Sequence, residues 1–215
     1  MREKSYRIIY EDEWLLGIDK PSGMLVIPTP KKETNTLTDL INKDLDERGI
    51  AANAYPCHRL DRETSGVMLY AKGKRAQQLF MDEFKKRAVS KTYIAFVQGI
   101  VRKGQGLINE PIFNRNKKRR ESAVTKYRVL ARKNGFSVQE AEPITGRTNQ
   151  IRIHFTSLGH PILGESVYAF RRDFKLRFKR VALHARAIEF THPVTKARLK
   201  LESPLPKDME SMWKA

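Results

Sequence analysis

Asp61 stands between Arg59 and Arg62 in the stretch P-C-H-R-L-D-R-E-T-S-G, Pro56 to Gly66. Nearby positive charge favours the ionised form of a carboxyl group. Such a carboxylate can serve as a nucleophile or as a base. The same spacing also fits a surface ion-pair cluster, which is common and worth little energy, so the rest of the chain must decide. Lys20, in D-K-P-S-G, could face an anion or simply occupy a turn. Arg152 lies in T-G-R-T-N-Q-I-R-I-H, Thr145 to His154, with Arg147, Asn149 and Ile151 close by.

Other chemistries have less to stand on. Five histidines are present, but none forms an H-x-x-x-H pair and no cluster of acids accompanies them, so no metal site is expected. Neither G-x-x-x-x-G-K-[ST] nor G-x-G-x-x-G occurs, which argues against a nucleotide cofactor. Ser65 lacks the G-x-S-x-G setting of a hydrolase. The single cysteine, Cys57, allows no intrachain disulfide and reads as a packing residue. A lone carboxylate among arginines, on a basic chain, suits covalent or base chemistry on nucleic acid with no cofactor.

The charge balance names the partner class. Lys and Arg number 42 against 24 Asp and Glu, a net charge of +18. Surfaces of that kind bind nucleic acid or anionic membranes. No apolar run approaches the ~18 residues of a membrane span, and acids sit where a signal peptide needs its apolar core. The expectation is a soluble, cytoplasmic, monomeric protein that binds nucleic acid and no membrane. R-N-K-K-R-R, Arg115 to Arg120, has no apolar residue and is expected to be exposed and to touch a nucleic-acid backbone.

These groups need a frame. Arg7 to Tyr10, Trp14 to Ile18, the run after Gly23, and Val67 to Ala71 read as strands. Thr36 to Gly49 reads as a helix with Thr36 as N-cap, Asp39 three residues on and Gly49 as its stop. Arg75 to Arg87 reads as a second helix. Lys91 to Ile100 is rich in β-formers, and Asn134-Gly135 marks a hairpin between Val124–Leu130 and Phe136–Ala141. A third helix is expected after Thr148 or Asn149, burying Ile151, Phe155 and Leu158 and carrying Arg152. Phe170 to Arg180 interleaves Phe with basic residues, a pattern that could serve base stacking but reads better as an amphipathic helix packed by its Phe face. Val181 to Phe190 and Ala197 to Leu201 close as strands. Strands dominate without βαβ regularity, so the class is α+β, a mainly antiparallel mixed sheet with flanking helices and loops.

H-R-L-D-R-E-T-S-G at His58 to Gly66 resembles the signature of the RluA-type RNA pseudouridine synthases. D-K-P-S-G-M-L-V at Asp19, K-T-Y-I-A-F-V-Q-G at Lys91, T-G-R-T-N-Q-I-R-I-H at Thr145 with L-G-H-P-I-L-G-E at Leu158, and L-H-A-R-A-I-E-F-T-H-P at Leu183 resemble its other motifs in the same order. Family members isomerise uridine in RNA by moving the glycosidic bond from N1 to C5. The resemblance implies a pseudouridine synthase catalytic domain over 1–215 with no separate RNA-binding domain and no cofactor. It implies that Asp61 is the catalytic aspartate, that Tyr93 packs on the target base and that Arg152 pairs with the carboxylate. Arg59 would enter the gap left by the flipped base. Arg62, Ile151, Arg147, Asn149 and Lys20 are the further substrate-side candidates. Asn149 stands where many members have His, and Glu165 where Asp is usual. The implied partner is a stem-loop of large-subunit rRNA, tRNA or both. The rival readings are a catalytically inactive RNA-binding or ribosome-assembly protein and, more weakly, a metal-dependent nuclease.

Overall fold

The computed structural model describes residues 5–169 and 176–214. Its strands and helices gather into two compact units, one running to Ser90 and taking in Ala185–Pro204, the other holding Lys91–His184 and the residues from Leu205 onward.

In the first unit the apolar run L-L-G-I forms β2 (Leu15–Lys20), paired antiparallel with β1 (Arg7–Glu11) and β4 (Ser65–Lys72). β3 (Ala54–Pro56) joins β4, β11 (Leu183–Thr191) lies beside β4, and β12 (Arg198–Glu202) pairs with β11. Side chains alternate across β4. Val67, Leu69 and Ala71 join a core with Leu15, Phe80, Ile188, Phe190 and Leu201. Tyr70 points the other way, its hydroxyl 3.1 Å from Thr38 Oγ1 on α1 (Leu37–Glu47). Thr36 caps α1 in a reciprocal box with Asp39, as its spacing predicts. Phe80 reaches the core from α2 (Lys74–Lys85). Met24–Ile27 is not the strand expected. Its carbonyls at Leu25 and Val26 accept instead from Leu37 and Thr38 N–H at the start of α1, which removes them from any ladder.

The second unit carries strands in the order β5 (Ser90–Gln98), β10 (Phe136–Pro143), β9 (Val124–Lys133) and β6 (Gln105–Asn109), all antiparallel. The Asn134-Gly135 turn joins β9 to β10, with Gly135 at φ +83°. A separate hairpin pairs β7 (Ile112–Asn114) with β8 (Arg119–Glu121). Phe155, on α3 (Gln150–Ser157), meets Tyr127 of β9 edge-on at 5.9 Å. α4 (Lys207–Lys214) places Trp213 against Phe96, and Arg180 grips Asp208 near its start with two hydrogen bonds. Leu158 is exposed rather than part of α3's buried face, because the helix stops at Ser157. The helix expected over Phe170 to Arg180 lies outside the described residues up to position 175, and 176–180 are irregular. The class is α+β, and the pairs β1–β2, β2–β4, β3–β4, β11–β12, β5–β10, β9–β10, β6–β9 and β7–β8 are antiparallel.

Candidate active site

Asp61 opens a tight turn closed by Thr64 N–H donating to Asp61 O at 3.1 Å, just before β4. Its entry is pinned from behind. Cys57 N–H donates to Leu69 O, and Leu69 N–H donates back to His58 Nε2, so the His58 ring is an acceptor here. Cys57 is buried, and that burial pushes its thiol up to about 12. It is a packing residue and no nucleophile.

The D-K-P-S-G turn holds the other side. Gly23 N–H donates to Arg62 O (2.8 Å), Arg62 Nε donates to Gly23 O (3.1 Å), and Ser22 Oγ donates to Glu63 O (2.6 Å). Gly23 sits at φ +86°, where a residue with a Cβ would be strained. Lys20 is wholly buried, and its ammonium donates to the carbonyls of Pro21, Met24 and Arg62. Two motifs far apart in sequence thus form one braced loop pair. Beside it a cleft of about 490 Å³ is lined by Ser22, Gly23, Asn35 and Arg62. Arg59 and Arg62 are exposed and Asp61 is half-buried.

In the second unit α3 presents Arg152. Asn149 precedes the helix in the left-handed region, φ +55°, and makes no side-chain cap. Its amide is occupied elsewhere: Oδ1 accepts from Arg152 Nη1 (3.1 Å) and Nδ2 donates to Tyr168 Oη (2.7 Å). Arg152 donates from Nε and Nη2 to both oxygens of Glu165, at 2.7 and 2.8 Å. Burial pushes the Glu165 carboxyl up, but hydrogen bonds and charge from Arg152, with the Val167 and Tyr168 N–H groups, hold it below its ordinary value.

A buried polar chain fixes the helix. Gln150 Oε1 accepts from Thr145 Oγ1 (2.6 Å) and Arg147 N–H (3.0 Å), and its Nε2 donates to Thr125 Oγ1 (3.0 Å). Thr125 meets His154 Nδ1 (2.8 Å), and His154 Nε2 faces Glu110 O (3.0 Å). A carbonyl only accepts, so Nε2 carries the proton and Thr125 donates to Nδ1. Ile151 is buried beside Arg152 in sequence. Arg147 donates from Nε to Ser122 O and reaches Glu121 at 3.6 Å, which ties this loop to the root of the β7–β8 hairpin. Tyr93 is buried on β5 opposite Ala141 of β10. Burial lowers the pKa of nearby Lys91 in the same strand.

The sequence-predicted residues therefore fall into two groups. Lys20, Arg59, Asp61 and Arg62 share the first unit, and Tyr93, Arg147, Asn149, Ile151 and Arg152 the second. Tyr168 was absent from the sequence reading, and Glu165 appeared only as a departure of unassigned role. Among the described residues no group of three or more His, Cys, Asp and Glu side chains is placed to hold a metal ion, and no helix is long and apolar enough to cross a membrane.

The family described as RNA pseudouridylate synthase matches residues 15–157. Ribosomal large subunit pseudouridine synthase D of Pseudomonas aeruginosa is 36% identical over 227 residues, covering 96% of this chain and 69% of that protein. Dual-specificity RNA pseudouridine synthase RluA of Yersinia pestis is 35% identical over 198 residues, covering 86% of this chain and 92% of the relative. Among solved structures, human RNA Pseudouridylate Synthase Domain Containing 4 superposes with a TM-score of 0.81 at 26% identity, over 94% of this chain and 90% of that one.

Proposed function

The chain belongs to the RNA pseudouridylate synthase family, and from that premise we propose that it isomerises uridine to pseudouridine in structured RNA, with Asp61 as the catalytic carboxylate. The carrying observation is that the family match spans Asp61, Tyr93 and Arg152 together. A pure RNA binder gains nothing from that trio, so the catalytically inactive alternative is not favoured. Five hydrogen bonds brace the Asp61 loop through Asp61 O and its neighbours Arg62, Glu63 and Thr64, which suits a group that must meet one atom of a substrate.

Uridine in a stem or stacked loop hides its reacting atoms, so the base has to be extruded, at a cost of a few kcal/mol. Arg59 fills the vacated space, and Tyr93 covers the flipped ring. The family resemblance makes Arg152 the partner of the catalytic carboxylate. Asp61 then attacks C1′ or takes a proton from C2′, and the N1–C1′ bond breaks. The freed uracil turns and bonds to C1′ through C5 as the carboxylate leaves C1′ or the proton returns to C2′, and N1 takes up a proton. The C5 proton leaves to water. Arg62, Arg147, Asn149, Ile151 and Lys20 shape the substrate side, directly or through the loops they hold.

One relative is named for the ribosomal large subunit, and the family resemblance implies the wider expectation: a short stem-loop of large-subunit rRNA, of tRNA, or of both. Unstacked nucleotides in loops are what proteins of this kind read. The test is tritium release from RNA carrying C5-tritiated uridine, run on separate rRNA and tRNA pools. Release of label without strand cleavage is expected. Strand cleavage, or tight binding with no release, would reject the reading.

A further inference from the structure

Arg152 and Glu165 form an ion pair whose side chains are 6% and 0% exposed. A buried pair of this kind is a poor source of stability, since apolar residues of equal volume often do as well. What a fork held at Nε and Nη2 does supply is direction, because both hydrogen bonds lie in the guanidinium plane and together stop it rotating.

Glu165 is itself held. Its Oε1 accepts from the N–H groups of Ser166, Val167 and Tyr168 at 3.0, 2.8 and 3.3 Å. The same turn delivers the Tyr168 ring, whose centroid lies 5.3 Å from Arg152 Cζ, within cation–π range. Tyr168 Oη then accepts from Asn149 Nδ2, and Asn149 Oδ1 accepts from Arg152 Nη1. The contacts close into a ring: Arg152, Glu165, Tyr168, Asn149. Meanwhile α3 is anchored separately, by Phe155 in the core and by the Gln150–Thr125–His154 chain. The helix does not need Glu165 to stay in place, but the Arg152 side chain needs it to keep its plane.

We propose that Glu165 and Tyr168 are positioning residues for the isomerisation, which fix the plane of Arg152, the arginine that the family resemblance assigns to the catalytic carboxylate. This rests on the reading of Arg152 as the partner of Asp61. Glu165 suits the task by its length. An aspartate, one methylene shorter, could not keep its backbone N–H contacts and both arginine contacts at once without the turn moving.

Single-turnover tritium release, on an RNA that the unaltered chain modifies, tests this together with RNA affinity and thermal unfolding. Glu165→Gln should lower the rate of bound RNA about 10²-fold, the scale of a small misplacement at a reacting centre, with affinity within about twofold. Glu165→Asp should recover part of that loss. Tyr168→Phe, which keeps the ring and loses the bond to Asn149, should show a smaller loss and no change in unfolding temperature. Combined with Arg152→Met, Glu165→Gln should cause no further loss, because its effect runs through Arg152. The proposal is overturned if Glu165→Gln keeps the full single-turnover rate while Arg152→Met is inactive, or if its cost is equal in both backgrounds. A change in affinity alone would also overturn it. If Glu165→Gln does not fold, Tyr168→Phe decides, and an unchanged rate there rejects the role of Tyr168. Full activity of Arg152→Met would instead sink the reading of Arg152, and this proposal with it.

Discussion

The buried ammonium of Lys20 donates to the carbonyl oxygen of Arg62 at 3.1 Å, across 42 positions of sequence and one residue from Asp61. The same ammonium holds Pro21 O and Met24 O, so it bridges the two loops from inside. Replacing it with Met would leave buried carbonyls without that donor. Lys20→Met should cost about 3 kcal/mol of stability, measured by urea unfolding, since charged hydrogen bonds and orphaned acceptors each carry ~1–3 kcal/mol. Tritium release should fall about 10²-fold as the Asp61 loop shifts. Turnover within twofold of the unaltered chain would reject the bracing role.

Asp61→Asn removes the carboxylate and keeps its shape. We expect turnover to vanish while RNA affinity stays within about tenfold, roughly 1.4 kcal/mol. Residual activity above a few per cent, with affinity intact, would take Asp61 out of the mechanism.

Gly66 ends the H-R-L-D-R-E-T-S-G stretch at φ +113°, and a Cβ there would stand 2.1 Å from Ala185 O on β11. Only a glycine lets β4 and β11 approach so closely. Gly66→Ala should therefore unfold the chain at a midpoint lower by the equivalent of about 3 kcal/mol or fail to accumulate folded protein. A variant with unchanged urea midpoint would show that the strands can separate there at no cost.

Local signals were readable in the sequence. The Thr36–Asp39 box, the Asn134-Gly135 turn and the strand over Val67 to Ala71 depend on residues a few positions apart, and each formed where expected. What the sequence hid was which distant partner a polar residue would choose. Lys20 looked like a turn lysine because Arg62 is remote. Asn149 looked like a helix cap, yet its amide binds Arg152 and Tyr168. Glu165 and Tyr168 lie on an irregular turn with no periodicity to mark them. Met24–Ile27 has strand composition, but its carbonyls serve α1.

Stability should fall as pH drops through the ordinary histidine range. Burial pushes both His154 and His192 below their ordinary value of 6.5, with the Glu110 carbonyl and Asp12 respectively pulling the other way. The unfolded chain then takes up protons first, so stability is full above about pH 6.5 and declines below it. Glu165, lowered from 4.5, adds its own loss only at more acid pH. The urea midpoint should be lower at pH 5.5 than at pH 7.5, and His154→Gln should shrink that difference. A midpoint independent of pH across this window would show that neither histidine is held neutral.

The β7–β8 hairpin carries the basic run at its tip and places exposed Phe113 opposite Arg120. Its charges are not equivalent. Lys117 already pairs with Glu121 at 2.9 Å, and Glu121 is held at about 2 by hydrogen bonds from Asn114 and Lys117. Arg119 and Arg120 lie exposed on β8, so we expect them and Lys118 to carry most of the phosphate contact. RNA binding should weaken steeply with salt, the slope of log K against log salt falling by about 0.7 for each phosphate neutralised on a single strand. Replacing Lys117, Lys118, Arg119 and Arg120 together with Gln should flatten that slope and weaken binding, while the modified uridine stays the same. Within the set, Lys117→Gln alone should change the slope least. An unaltered slope in the fourfold variant would remove the hairpin from the RNA interface, and a changed target uridine would make it a reader of sequence rather than a grip on the backbone.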